Sequence, residues 1–278
     1  MEAGSIEQRA LAAACSVARG QGVPCGRAAV AHSGSNVLVH LRPSPVVARV
    51  MTGTAVLHDD PARWLAREVS VLSFLAPSGL AVAPSSLIAP GPYRADGLWM
   101  TFWSQVEHRG SAEPCDAERL GGALRQLHDA LTGFSGELGG LGDLQADIER
   151  LRRALRPTAA LGAQEIDSLG ERLLALGETV FDTSLATQAL HGDASLDNLL
   201  RTPEGLIWND FEDTFRGPVH WDLAGYAIGL EAGGADPAFV QRALDAYGGI
   251  ERRELAPFTA AHELYDEIWR LYEAQRRA

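Results

Sequence analysis

The chain has 278 residues and a formal net charge of −12, and all 24 of its basic residues are arginine. Without lysine it can carry neither a P-loop lysine nor a lysine Schiff base, and an acidic chain lacks the basic surface with which general nucleic-acid binders displace counterions. Cys15, Cys25 and Cys115 form no C-x-x-C pair, the N-terminus shows no basic-then-apolar leader, and no apolar run reaches the ~20 residues of a membrane span. The expectation is a cytoplasmic protein with reduced thiols, no zinc site, and no nucleic-acid or membrane partner.

In chain order, residues 6–18 (IEQRALAAACSVA) predict a first helix, ended by Gly20 and Gly22. Residues 28–41 hold two β-prone runs joined by His32-Ser33-Gly34-Ser35-Asn36, a hairpin with a small polar tip. The β-branched run 46–52 is a third strand. Asp60-Pro61 starts a helix to about Ala76, with Asp60 as N-cap and the proline at the first helical position. Leu65, Val69 and Leu72 form its apolar stripe; Glu68 borders that stripe, and a carboxylate there needs a partner. The proline-rich segment 77–92 carries a short strand near Ser86–Ala89, and GLWMTFWS (97–104) reads as a buried strand. Helices follow at 116–131, 143–156, 164–180, 220–231, 236–247 and 254–276, with short β-prone runs at 187–191 and 206–211. Strands dominate to about residue 105 and helices after it. That shift predicts an α+β protein with a small β-rich lobe over residues 1–105 and a larger, mostly helical lobe over residues 106–278.

The residues with chemistry concentrate in His191-Gly192-Asp193-Ala194-Ser195-Leu196-Asp197-Asn198 and in Trp208-Asn209-Asp210-Phe211-Glu212. Asp193 and Asn198 lie five apart on a loop between two short apolar runs. A hairpin over residues 199–210 returns Asp210 toward Asn198, and a carboxylate and an amide oxygen are hard-oxygen ligands of the kind that hold Mg²⁺ beside waters and substrate phosphates. Asp193 is then left to accept a proton from an attacking hydroxyl. Phosphoryl transfer needs these parts: a metal clamp, a base that orients the nucleophile, and a cation on the phosphates. A serine nucleophile at Ser195 is discounted, because the chain has no G-x-S-x-G elbow. His128, in LRQLHDAL, reads as a packed or capping histidine rather than a ligand.

These two segments, together with Gly217-Pro218 and Trp221-Asp222-Leu223-Ala224, resemble the aminoglycoside phosphotransferase/choline kinase family, and the HGDASLDN form is most similar to its antibiotic-kinase branch. The resemblance spans most of the chain. It implies a bilobal, protein-kinase-like fold that uses ATP and Mg²⁺ to phosphorylate a hydroxyl of a small molecule. By resemblance Asp193 is the catalytic base, Asn198 and Asp210 are the Mg²⁺ ligands, His191 braces the catalytic loop, and Asp222 is the buried aspartate tying that loop to the following helix. The family places a lysine on the third strand, paired with a glutamate on the next helix; the matching residues here are Arg49 and Glu68. Arginine keeps the charge but is bulkier and grips through a planar fork. Ser33, Gly34 and Ser35 resemble the nucleotide loop, where small residues let backbone N–H groups approach phosphates. Trp103, Ser104 and Val106 fall where the family's hinge offers backbone groups to adenine.

The implied acceptor is a cationic antibiotic such as an aminoglycoside, held by carboxylates. The candidates are Asp197, Glu212, Asp213, Glu231, Glu263, Asp266 and Glu267, the last three sharing a helical face by their i, i+3, i+4 spacing. A metabolic kinase acting on an amino alcohol or sugar, and a non-catalytic nucleotide-binding relative, stand as the alternatives.

Overall fold

The computed structural model describes residues 5–53 and 59–277. The chain forms two compact units: the residues to Gly110 together with Leu200–Glu212, and Ser111–Leu199 together with the residues from Asp213 onward. The expected helical lobe therefore gives up residues 200–212, with Asp210 and Glu212, to the first unit. The cause is local. The Trp208 N–H donates to the Leu80 carbonyl at 2.8 Å and its carbonyl accepts from the Val82 N–H at 2.9 Å. The indole is fully buried.

In the first unit, helix α1 (Ile6–Gly20) lays the small side chains Ala10, Ala13, Ala14 and Ala18 against a five-stranded sheet. The strands are β1 (Ala29–Ser33), β2 (Asn36–His40), β3 (Val46–Met51), β4 (Tyr93–Ala95) and β5 (Leu98–Ser104), antiparallel throughout, in the order β1-β2-β3-β5-β4. Successive side chains of a strand point to opposite faces. Val46, Ala48 and Val50 of β3 join the core under α1, which sends Arg49 to the other face, opposite Leu38 on β2 and Thr101 on β5. Helix α2 (Pro61–Leu75) packs against β5 and buries Glu68. Its start is as expected: the Asp60 carboxylate accepts from the Arg63 N–H at 3.1 Å.

The strand expected near Ser86–Ala89 is absent, and β4 forms at Tyr93–Ala95 instead. Pro84, Pro90 and Pro92 bracket the expected segment, and proline supplies no N–H to a ladder. The hairpin expected after Asn198 is present, with β7 (Leu199–Arg201) paired to β8 (Leu206–Trp208).

The second unit is built on α3 (Ala117–Leu131), α4 (Leu141–Ala154), α5 (Ala163–Ala175), α6 (His220–Ala232), α7 (Pro237–Tyr247) and α8 (Ala256–Arg277). Its small two-stranded sheet joins β6 (Gln188–Ala189) to β9 (Arg216–Gly217). Helix α5 stops at Ala175 rather than 180, and a π turn over Gly177–Phe181 follows. Helix α6 is apolar nearly all round, the pattern of a buried helix. It buries Trp221, Leu223, Ala224, Tyr226, Ala227 and Leu230, and the Tyr226 hydroxyl donates to the Leu120 carbonyl of α3 at 3.0 Å. Helices α3 and α7 approach so closely that a Cβ at Gly121 would collide with the Ala243 carbonyl.

Candidate active site

The first unit gathers one cation and three carboxylates. Arg49 Nη2 donates to Glu68 at 2.5 Å, and Nη1 donates to Glu212 at 2.6 Å and to Asp210 at 3.3 Å. Glu212 Oε2 also accepts from Asn36 Nδ2 at 3.0 Å. Burial opposes charge on Arg49, but the carboxylates of Glu68, Glu212 and Asp210 outweigh it and hold the guanidinium pKa well above its usual range. One cation does not balance three anions. Burial therefore pushes the Glu68 carboxyl up to about 7 despite its arginine, and the Glu212 carboxyl is raised for the same first reason, burial.

Asp210 differs from its neighbours in two ways. Its side chain is 37% exposed, against 2% for Glu68 and 13% for Glu212. Its backbone is left-handed, with φ at +61°. Aspartate tolerates that region better than most residues, but the conformation is uncommon outside glycine and persists where surrounding structure imposes it.

In the second unit, a loop runs from β6 to the single 3₁₀ turn Leu196–Asn198. Asp222, on the first turn of α6, is fully buried beneath it. Its carboxylate accepts from the His191 N–H at 2.8 Å, the Gly192 N–H at 2.9 Å and His128 Nε2 at 2.9 Å. Burial would raise its pKa; the bond and charge of His128, with those of His191, reverse that and hold it below the usual range. Trp221 Nε1 adds a donor to the Gly192 carbonyl at 2.9 Å. Gly192 has φ at +91°, and a Cβ there would strike the Asp213 carbonyl, so the turn needs glycine. The outcome is an exposed Asp193 on a rigid loop. Its N–H donates to His191 Nδ1 at 3.3 Å. Asn198 Nδ2 donates to the Asp193 carbonyl at 2.9 Å and to its carboxylate at 2.8 Å, so the Asn198 amide oxygen is the end left to act as a ligand.

The structure places the other expected site residues as follows. Glu212 is not an open acceptor carboxylate, because Arg49 and Asn36 both hold it. Glu231 pairs with Arg252 at 2.5 Å and Glu267 with Arg172 at 2.7 Å. Asp197 and Asp213 contribute backbone: the Asp197 carbonyl accepts from Ser111 Oγ at 3.0 Å, and the Asp213 carbonyl lies against Gly192. Glu263 and Asp266 are exposed on α8, and partial burial followed by the charge of Glu263 raises the Asp266 carboxyl against the pull of Arg270. Ser33 and Gly34 form an exposed hairpin tip, but the Gly34 N–H donates to the Asn36 carbonyl at 3.0 Å, and the Ser35 carbonyl accepts from Gly53 at 2.7 Å. Trp103 is buried with Nε1 on Thr101. Ser104 gives its N–H to Ala83 and its hydroxyl to Pro84, which leaves Val106 as the half-buried residue just past the strand.

The sequence profile of the phosphotransferase enzyme family matches residues 28–258. The chain belongs to this family. Its members are small-molecule phosphotransferases with a hydroxyl acceptor. The fold of this phosphotransferase is that of the kinase-like enzymes. It resembles a choline kinase, LicA from Streptococcus pneumoniae, with a TM-score of 0.70 at 13% identity, covering 96% of this chain and 92% of that one. It resembles the amicoumacin kinase hAmiN, solved with AMP-PNP, Ca²⁺ and Ami, with a TM-score of 0.69 at 11% identity, covering 89% and 81%. A third likeness is to the aminoglycoside phosphotransferase APH(3'')-Id from Streptomyces rimosus, solved with ADP and streptomycin, with a TM-score of 0.62 at 17% identity, covering 91% and 98%.

Two of the expected side chains carry oxygen donors of the kind a divalent cation takes. Asp210 offers a partly exposed carboxylate within a cluster of net negative charge, and Asn198 offers an amide oxygen; both are hard donors. Sequence reasoning did not single out Asn36, and it took His128 for a packing residue. His128 is packed, and it also holds Asp222 while its Nδ1 meets the Tyr247 hydroxyl at 2.8 Å. The signal available for His128 was a lone histidine on the apolar stripe of α3.

Proposed function

We propose that this phosphotransferase uses ATP and Mg²⁺ to phosphorylate a hydroxyl of a cationic small molecule, with aminoglycoside-like antibiotics as the first acceptor class. The observation that carries the reading is the loop geometry at Asp193: an exposed carboxylate on a turn fixed from beneath by Asp222 and Trp221 and from the side by Asn198. A general base must be held within reach of the proton it takes, and such a loop does that. Asp193 accepts the hydroxyl proton as the acceptor oxygen bonds to the γ-phosphorus. The bond to the bridging oxygen breaks and ADP leaves with the electron pair. Asn198 and Asp210 would hold Mg²⁺, which when bound neutralises charge on the phosphates. The first unit would supply the nucleotide contacts, through the Ser33–Ser35 tip, Arg49 with Glu68, and the backbone near Val106.

A cationic acceptor is supported by the net charge of −12 and by the open carboxylates Glu263 and Asp266. The likeness to a choline kinase favours, as the second class, an amino alcohol, which shares an ammonium group and a hydroxyl. A cytoplasmic setting is supported by three free cysteines, two of them buried, and among the described residues no helix is long and apolar enough to cross a membrane. The test is ADP release with Mg²⁺ and ATP over a panel of aminoglycosides, peptide antibiotics and amino alcohols. Acceptor-stimulated release that disappears in Asp193→Ala supports the reading; release that persists in that variant contradicts it.

A further inference from the structure

We infer that Glu212 is a positioning residue: with Asn36 and Arg49 it locks the segment after β8, so that Asp210 keeps its left-handed backbone and a partly exposed carboxylate, only weakly held by Arg49, for the divalent cation. The ligand role of Asp210 rests on the function proposed above; the lock itself does not.

Glu212 is held from two strands. Asn36, at the start of β2, donates to its Oε2, and Arg49, in the middle of β3, donates to the same oxygen. Asn36 is itself oriented, because its amide oxygen accepts from the Thr52 N–H at 3.4 Å. On the other side, β8 is fixed through Trp208 to residues 80–82. Asp210 sits between these two anchors, at the one position in the segment with a positive φ. An uncommon backbone conformation at a ligand, pinned on both sides, is the pattern expected where surrounding structure imposes the geometry.

The distances divide Arg49 unequally. Its Nη1 lies 2.6 Å from Glu212 and 3.3 Å from Asp210. Glu212 thus takes the shorter bond from Nη1, and Asp210 is left with the longer one. This also accounts for arginine at a position where the resemblance implies lysine. The fork serves Glu68 with Nη2 and Glu212 with Nη1. A lysine has one nitrogen on a flexible stem and cannot reproduce that geometry. Arg49 and Glu212 are therefore a matched pair.

The test uses the full chain without any acceptor and measures thermal midpoint and ATP affinity, with Mg²⁺ and with chelator, for E212Q, R49K, the double variant and N36A. In E212Q, affinity for ATP with Mg²⁺ falls by about tenfold or more, as for other residues that orient a metal ligand, while metal-free ATP affinity changes by a clearly smaller factor. R49K strands Glu212 in a buried site, so its thermal midpoint falls further than that of R49K/E212Q, a coupling that independent residues do not show. If E212Q does not fold, N36A, which removes one neutral donor, shifts Mg²⁺-dependent affinity in the same direction by a smaller factor. Additive losses in midpoint, an N36A protein with unaltered Mg²⁺ dependence, or an E212Q protein changed only in acceptor KM would each overturn the inference. A wild-type protein that binds no nucleotide overturns the proposed function instead, and the midpoint coupling still decides whether the lock exists.

Discussion

Asp222 accepts from two N–H groups of the loop that carries Asp193 and from a buried imidazole, and it has no exposure to water. Its amide isostere would turn an NH₂ toward one of those donors. Asp222→Asn is expected to lower stability by about 1–3 kcal/mol, the range for leaving a buried donor unsatisfied, read as a shift in denaturant midpoint. His262 makes a second residue-scale prediction. It stacks on Trp221 at 4.0 Å, gives its Nε2 a partner in the Trp221 carbonyl at 2.9 Å, and burial drives its pKa down to about 4 from the ordinary 6.5. A depressed histidine is neutral in the folded state while the unfolded chain takes up a proton. Its contribution is therefore fully present above pH 6.5 and is lost as pH falls toward 4, a change on the order of 3 kcal/mol. His262→Gln should flatten the stability-against-pH curve in that window; an unchanged slope contradicts this assignment. At this scale the candidate loop was legible because Asp193 and Asn198 stand five apart in one short motif. Asn36, His128 and Tyr247 were hidden because their roles come from pairings 176, 94 and 119 residues apart, which no local pattern records.

Among the elements, the approach of α3 to α7 depends on Gly121, whose missing side chain admits the Ala243 carbonyl. Gly121→Ala normally gains helix propensity, by up to about 1 kcal/mol. Here the added methyl must push two helices apart, and overpacking of this kind costs about 1–3 kcal/mol. The expected result is a thermal midpoint several degrees lower, measured by calorimetry; a higher midpoint would show that the helices yield freely. Helix positions were legible from sequence because capping residues and apolar stripes mark them locally: Asp60, Asp116 and Asp236 all cap as side-chain acceptors. The strand placed at Ser86–Ala89 failed because three prolines override a short β-prone run, and the end of α5 was misread because apolar content continues past Ala175 into a wider turn.

For the molecule as a whole, the instructive departure is the segment 200–212. Composition placed the change between units near residue 105, yet this later hairpin belongs with the sheet unit. It brings Asp210 and Glu212 to Arg49, so the cluster that would meet a nucleotide's metal is assembled from residues more than 160 positions apart. Acceptor recognition was the part least legible in sequence. Of seven acidic candidates, Glu212, Glu231 and Glu267 are held by arginines, and only their pairing in space could reveal it. The small-molecule phosphotransferase reading, in contrast, agrees with family membership. The most direct test is product analysis: wild type and Asp193→Ala incubated with ATP, Mg²⁺ and the acceptor panel, with phosphate esters sought by phosphorus NMR. The account predicts a phosphate monoester on an ammonium-bearing acceptor with wild type, and a rate at least ~100-fold lower without the base. An ester formed equally fast by the Asp193→Ala protein would contradict it.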